Sequence, residues 1–147
     1  MKTSFISIGA ILLSQLFSSV SADEEGTQIE YLNKVECNRK TKKGDYISVH
    51  YKGTLGDGTE FDSSFSRGIP LPFNVGSGQV IKCWDEGLLD MCIGEKRILT
   101  CPPGVAYGER GIGPIPPNAV LTFFTELVDI AGVDKEEEGE NPEKDEL

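Results

Sequence analysis

Between residues 46 and 53 the chain alternates cleanly. Ile47, Val49 and Tyr51 fall on one side, and Ser48, His50 and Lys52 on the other. That period of two predicts a strand with one buried face. The same alternation recurs over 95–101, until Pro102-Pro103 stops it. It is longest over 119–130, where Leu121, Phe123, Thr125 and Leu127 oppose Val120, Thr122, Phe124 and Glu126. A weaker strand is predicted over 29–35, interrupted at Asn33. Gly56-Asp57-Gly58 supplies a turn and predicts a hairpin into 59–62. Residues 63–72 read as loop or bulge, and 73–75 as a brief return to strand. Only 82–91 changes period, with Trp84, Leu88 and Met91 at i, i+4 and i+7. Residues 104–118, with four glycines and three prolines, read as a long loop. Many strands joined by turns and one helix predict an α+β domain, an antiparallel β-sheet wrapped around one short α-helix. No internal repeat is visible.

The ends of the chain read differently. Residues 1–22 carry Lys2, a mostly apolar stretch from Phe5 to Phe17, and Val20-Ser-Ala22, the pattern of a removable signal peptide. The apolar run is short and broken by Ser7, Ser14 and Gln15, which disfavours a membrane anchor. No membrane span is expected in the processed chain. The last four residues, Lys144-Asp-Glu-Leu147, form the receptor-read signal for retention in the endoplasmic reticulum. This predicts an endoplasmic reticulum lumen location with the KDEL receptor as partner.

Residues 134–147 hold eight acids and two lysines, a charge of −6, and cannot bury enough apolar surface to fold. Losing Lys2 with the leader takes the formal charge of −10 to −11, so the core, residues 23–133, carries about −5. The acidity therefore belongs mainly to the tail, and it argues against nucleic acid or anionic membrane as partner. A core of this length supports one domain, and nothing in it demands more than a monomer.

Four cysteines, at 37, 83, 92 and 101, follow the secretory signal and allow three full pairings. No Cys-x-x-Cys exists, so neither a thioredoxin-like redox site nor a zinc knuckle is supported. Structural bridges or buried thiols are the expectation, with no metal.

Candidate chemistry gathers around the single tryptophan. Val80-Ile81 precede Trp84 at the predicted helix start, and Phe61-Asp-Ser-Ser64, Ala106-Tyr-Gly108 and Ile115-Pro-Pro117 lie elsewhere in the chain. Aromatics with one or two hydroxyl or carboxyl groups make an apolar pocket with a few placed polar groups. The set holds no base–nucleophile pair and no metal ligands, and it needs no cofactor. Such a site binds and reshapes a substrate without breaking covalent bonds. Taken singly, Trp84 reads as core and Asp62 as a turn or capping residue. His50 falls on the face opposite Tyr51, which favours a structural or solvent-facing role over catalysis. Glu95-Lys-Arg97 reads as a solvated strand end, and Gly108-Glu-Arg-Gly111 as loop geometry rather than a phosphate site.

In order, Val49-His-Tyr-Lys-Gly53, Asp57-Gly-Thr-Glu-Phe-Asp-Ser-Ser64, Gly78-Gln-Val-Ile-Lys-Cys-Trp-Asp-Glu-Gly87, Gly94-Glu-Lys-Arg97, Ala106-Tyr-Gly108 and Ile115-Pro-Pro117 closely resemble the FKBP family. These are the tacrolimus- and rapamycin-binding peptidyl-prolyl cis/trans isomerases, and the similarity spans roughly residues 30–130. With its leader and retention tail the chain is most similar to the small endoplasmic-reticulum members, particularly fungal ones. The resemblance implies a pocket with Tyr51, Phe61 and Asp62 on one wall and Val80 and Ile81 at the rim. Trp84 would be its floor, and Tyr107, Ile115 and Phe123 its far wall. It also implies that the Ile81 N–H and the Tyr107 hydroxyl donate to carbonyls of a bound peptide or drug, and that Arg67 holds the tyrosine and aspartate in place. The resemblance further implies that Asp62, Tyr107, Trp84 and Phe61 carry the catalysis.

The chain departs from the family pattern at several places. Leu71 stands at the pocket edge where many members have an aromatic. The loop after Gly108 is one residue shorter than in the best-known cytosolic member, with Ile112 in place of histidine. Cys83 replaces a common glycine. Cys37 and Cys92 match the disulfide of secreted members, which leaves Cys83 and Cys101 as a second pair or as two buried thiols. The implied function is prolyl isomerisation of proline-containing secretory polypeptides during their folding. The alternative is a retained chaperone or binding module that uses the same pocket without needing catalysis.

Overall fold

The computed structural model describes residues 26–134; the expected signal peptide and most of the acidic tail, with the expected retention signal, lie outside the described residues. Six strands form one antiparallel sheet: β1 (Gln28–Tyr31), β2 (Tyr46–Thr54), β3 (Glu60–Ser63), β4 (Leu71–Asn74), β5 (Lys96–Cys101) and β6 (Leu121–Ile130). The order is β1-β5-β6-β2-β3, and β4 pairs with the other end of β2. Alternation along β2, β5 and β6 sends one face of each inward, so Ile47, Val49, Leu99, Leu121 and Leu127 are buried together. A short helix, α2 (Lys82–Gly87), packs on that face through Cys83 and Trp84.

The helix is shorter than its apolar spacing predicts. Leu88 and Met91 are fully buried, but they lie beyond the helix in a turn in which Asp90 has φ +64°. Thr41, from a distant segment, shapes that turn. Its hydroxyl donates to the Leu88 carbonyl at 2.6 Å and accepts the Met91 N–H at 2.9 Å. Its backbone bonds Asp90 and Met91 as well. A second helix, α1 (Ser64–Arg67), occupies part of the expected loop; Gly68 closes it with φ +70°.

One expectation is overturned. Glu95 and Arg97 are not a solvated strand end: they are 7% and 2% exposed and paired at 2.6 Å. The Arg97 guanidinium also donates to the carbonyls of Gly87, Leu89 and Asp90, so it satisfies orphan acceptors at the C-terminal end of α2. A charge becomes tolerable inside because every nitrogen has an acceptor. Both cysteine pairs are bonded, Cys37 to Cys92 and Cys83 to Cys101.

Candidate active site

Above the inner face, Tyr51, Phe61, Asp62, Leu71, Gln79, Val80, Ile81, Trp84, Tyr107 and Phe123 line a pocket of about 180 Å³. That is small beside the ~300–1,000 Å³ of drug-sized sites, and it suits a single ring at its base. Trp84 forms the base. Its indole meets Tyr51 and Phe123 edge-on, at centroid distances of 4.9 and 5.3 Å. Phe61 meets Phe123 in the same way at 5.7 Å. These T-shaped contacts fix the rings relative to one another. Space for them depends on Gly53 of β2, since a Cβ there would sit 2.6 Å from Phe61 Cζ and 2.9 Å from Phe123 Cε1.

Asp62 comes from the end of β3 and is immobilised from three sides. The Tyr51 hydroxyl donates to Oδ2 at 2.5 Å, Arg67 Nη1 donates to Oδ1 at 2.6 Å, and the Ser63 N–H donates to Oδ1 at 2.8 Å. Arg67 Nη2 also bonds the Tyr51 hydroxyl at 2.7 Å. Helix α1 is what presents Arg67 to this pair. Burial pushes the Asp62 carboxyl upward, but the Tyr51 and Arg67 bonds outweigh it and hold the group below its ordinary range. Burial, followed by the Asp62 charge, raises Tyr107; burial, followed by the hydrogen bond to Asp62, raises Tyr51 against the opposing bond from Arg67. At neutral pH the site therefore presents a fixed carboxylate and two intact hydroxyls. A carboxylate with this many donors is a poor base and a good fixed charge.

Two elements set the rim. Ile81 is the N-cap of α2, so its backbone N–H takes no part in the helical ladder. The preceding turn is gripped by Asp85, whose two oxygens accept the Gly76 and Gly78 N–H groups at 2.8 and 2.9 Å. Tyr107 follows a 3-10 turn (Pro103–Val105) at the end of β5 and is 38% exposed.

Of the residues singled out from sequence, Tyr51, Phe61, Asp62, Leu71, Val80, Ile81, Trp84, Tyr107 and Phe123 converge on this pocket. Arg67 reaches it through Asp62 and Tyr51. Ile115 is buried in the core and is not among the lining residues. Gln79 is a lining residue that sequence reading missed. Its Oε1 accepts the Asn74 N–H at 2.8 Å, and only its place beside Val80 hinted at a rim position. His50, on the outer face as expected, stacks on Phe65 and bonds the Ser64 hydroxyl.

An antiparallel sheet that lays an aromatic floor beside a locked carboxylate is the architecture of a protein family defined by its activity. A family model described as FKBP-type peptidyl-prolyl cis-trans isomerase matches residues 37–128, and the chain belongs to that family and is an enzyme of that class. It is 61% identical over 132 residues to FK506-binding protein 2 of Aspergillus oryzae, an alignment covering 89% of this chain and 97% of the relative. Its identity to FK506-binding protein 2 of Aspergillus fumigatus is 60% over 133 residues, covering 86% and 97%. The crystal structure of AtFKBP13 superposes with a TM-score of 0.65 at 40% identity, covering 71% of this chain and 93% of that one.

Proposed function

We propose that this enzyme isomerises X-Pro bonds in secretory-pathway polypeptides by seating the proline ring on Trp84 and stabilising the twisted amide. Rotation about an amide bond meets a barrier of ~18–20 kcal/mol because the C–N bond has partial double-bond character. Uncatalysed prolyl exchange accordingly takes tens to hundreds of seconds. As the bond twists, resonance is lost, the carbonyl sheds negative charge and the nitrogen becomes pyramidal. Water favours the planar, charge-separated form, so an apolar pocket favours the twisted one. Contacts fitted to the twisted form lower the barrier further, since catalysis is differential binding of the transition state.

The observation that carries this reading is the immobilised Asp62 carboxylate beside an aromatic floor. Asp62 acts through its field on the rotating carbonyl, not as a base. Tyr107 and the Ile81 N–H hold the peptide on either side of the proline. Phe61, Val80, Ile81 and Phe123 exclude water. The same pocket would accept macrolides of the tacrolimus and rapamycin type. The leader, the terminal Lys144–Leu147 signal and two disulfides fit an oxidising lumenal compartment.

The test is the cis-to-trans rate of a short Leu-Pro peptide with the purified, oxidised protein, with and without rapamycin. Acceleration abolished by one equivalent of drug is expected. Exchange at the uncatalysed rate alongside tight drug binding would overturn the catalytic reading.

A further inference from the structure

The Cys83–Cys101 bridge joins the first turn of α2, which carries the pocket floor, to the end of β5, from which the Tyr107 segment springs. Cys83 is the second residue of α2, between the N-cap Ile81 and the floor Trp84. Cys101 ends β5, and six residues on, past Pro102 and the 3-10 turn, the chain reaches Tyr107. That turn is stiff: the Ala106 and Gly108 N–H groups both bond the Pro103 carbonyl, at 3.1 and 2.9 Å. Both cysteines are completely buried, with Cα atoms 5.7 Å apart. The other polar anchors of α2 point elsewhere. Asp85 ties it to the Gly76–Gly78 turn, and Arg97 holds its far end at Gly87 and beyond. Arg97 is itself on β5 but reaches only the far end of α2, so among these ties the disulfide alone joins the first turn of α2 to the end of β5.

We propose that the Cys83–Cys101 disulfide is a positioning element that fixes the spacing between the Ile81–Trp84 floor and the Tyr107 wall, so that the pocket fits the twisted prolyl amide. The inference rests on the reading of this pocket as the isomerase site. It follows from what such a site demands. With no covalent chemistry to perform, rate comes from fit, and a misplacement of about 1 Å can cost ~100-fold. A bond between the floor and the root of the opposite wall restricts that motion directly.

The second bridge provides an internal control. Cys37–Cys92 closes 55 residues and Cys83–Cys101 only 18. In the chain-entropy account the longer loop restrains the unfolded chain more. On stability alone, C37A/C92A should therefore be the more damaging change. Positioning predicts the opposite order for activity. At 10 °C, with folding confirmed by near-ultraviolet circular dichroism, C83A/C101A should lower kcat/KM for the Leu-Pro peptide about tenfold. It should weaken rapamycin binding in proportion. C37A/C92A should stay within twofold of wild type on both readouts while having the lower Tm.

C83A/C101A within twofold of wild type would overturn the proposal, as would equal losses in the two double variants. If C83A/C101A does not fold, C83A/C101V, which refills part of the volume, carries the comparison; if neither folds, the bridge serves folding and the proposal fails. Drug affinity is measured apart from rate. A wild-type protein that binds rapamycin without isomerising would sink the catalytic reading, and the affinity order would still judge the bridge.

Discussion

Replacing Arg97 by methionine removes a guanidinium whose three nitrogens are all engaged: Nε with Glu95, Nη1 with the Gly87 and Leu89 carbonyls, and Nη2 with the Asp90 carbonyl. Methionine keeps a long apolar stem in place, so the loss is almost wholly polar. Glu95, 7% exposed, is left with one long contact, the Cys92 N–H at 3.4 Å. Breaking one side of a buried ion pair costs ~3–5 kcal/mol. Each acceptor sealed from water without a partner costs ~1–3 kcal/mol. The Leu89 and Asp90 bonds are only part-buried, so water recovers much of their share. The expected loss is about 4 kcal/mol, a large part of the ~5–15 kcal/mol that holds a domain together. For a domain of this size it corresponds to a Tm lower by roughly 15–25 °C. The assay is urea unfolding with the disulfides intact, read by Trp84 fluorescence and extrapolated linearly to water. Adding Glu95→Gln removes the stranded charge, and E95Q/R97M should recover about 1–2 kcal/mol of the loss. A loss below about 1 kcal/mol in R97M, or a double variant no better than the single, would refute the buried-pair account.

Three further outcomes are expected. Trp84→Phe should cost no more than about 2 kcal/mol of stability, because the buried indole Nε1 has no partner among the described residues, yet the smaller floor should weaken rapamycin binding at least tenfold by calorimetry. Asp62 lies below its ordinary range in the folded protein, so its contribution is complete above the unfolded value near ~4 and lost as pH falls through the folded one. Stability and kcat/KM should therefore be flat from about pH 8 to 5 and decline only in stronger acid; Asp62→Asn should abolish the acid limb of kcat/KM but only shrink that of stability, because Asp45, held low by its bond to Arg39, remains. Gly111→Ala places a Cβ at φ +64°, only 2.3 Å from the Ile115 carbonyl oxygen, where backbone rather than a yielding side chain must move. A loss of about 2–3 kcal/mol in thermal unfolding is expected, and a Tm equal to wild type would show that the loop has another conformation available.

The strands were legible because a sheet with one buried face writes a period of two into the chain, and β2, β5 and β6 each keep it. The helix was legible at its start but not its end. Leu88 and Met91 continue the helical spacing, yet Thr41, more than forty residues earlier, bonds Leu88 and Met91 into a different turn. Helix α1 spans four residues, too few for any periodicity to register. Arg97 was misread because its burial depends on the carbonyls that α2 brings to it, and nothing local announces them. At the site, physical reading reached a tryptophan and some aromatics; the family resemblance supplied their convergence. Gln79 escaped both, since its position is set by pairing with Asn74 across a turn. The second bridge stayed open because sequence spacing carries no Cα distance.

The sheet is closed by its youngest strand. β6 pairs with β2 on one side and β5 on the other, so the last strand to be synthesised stands near the middle. While residues 26–120 are being made, β5 can pair with β1 and β2 with β3 and β4, but each lacks its partner on the inner side, and both pocket walls and floor rest on an unfinished support. Pairings this distant along the chain form slowly and leave strand edges open meanwhile. This peptidyl-prolyl isomerase must therefore wait, during its own elongation, until Leu121–Ile130 is free to enter. A premature stop before that strand would leave more than a shortened enzyme; it would leave a chain with two unpaired edges and no middle.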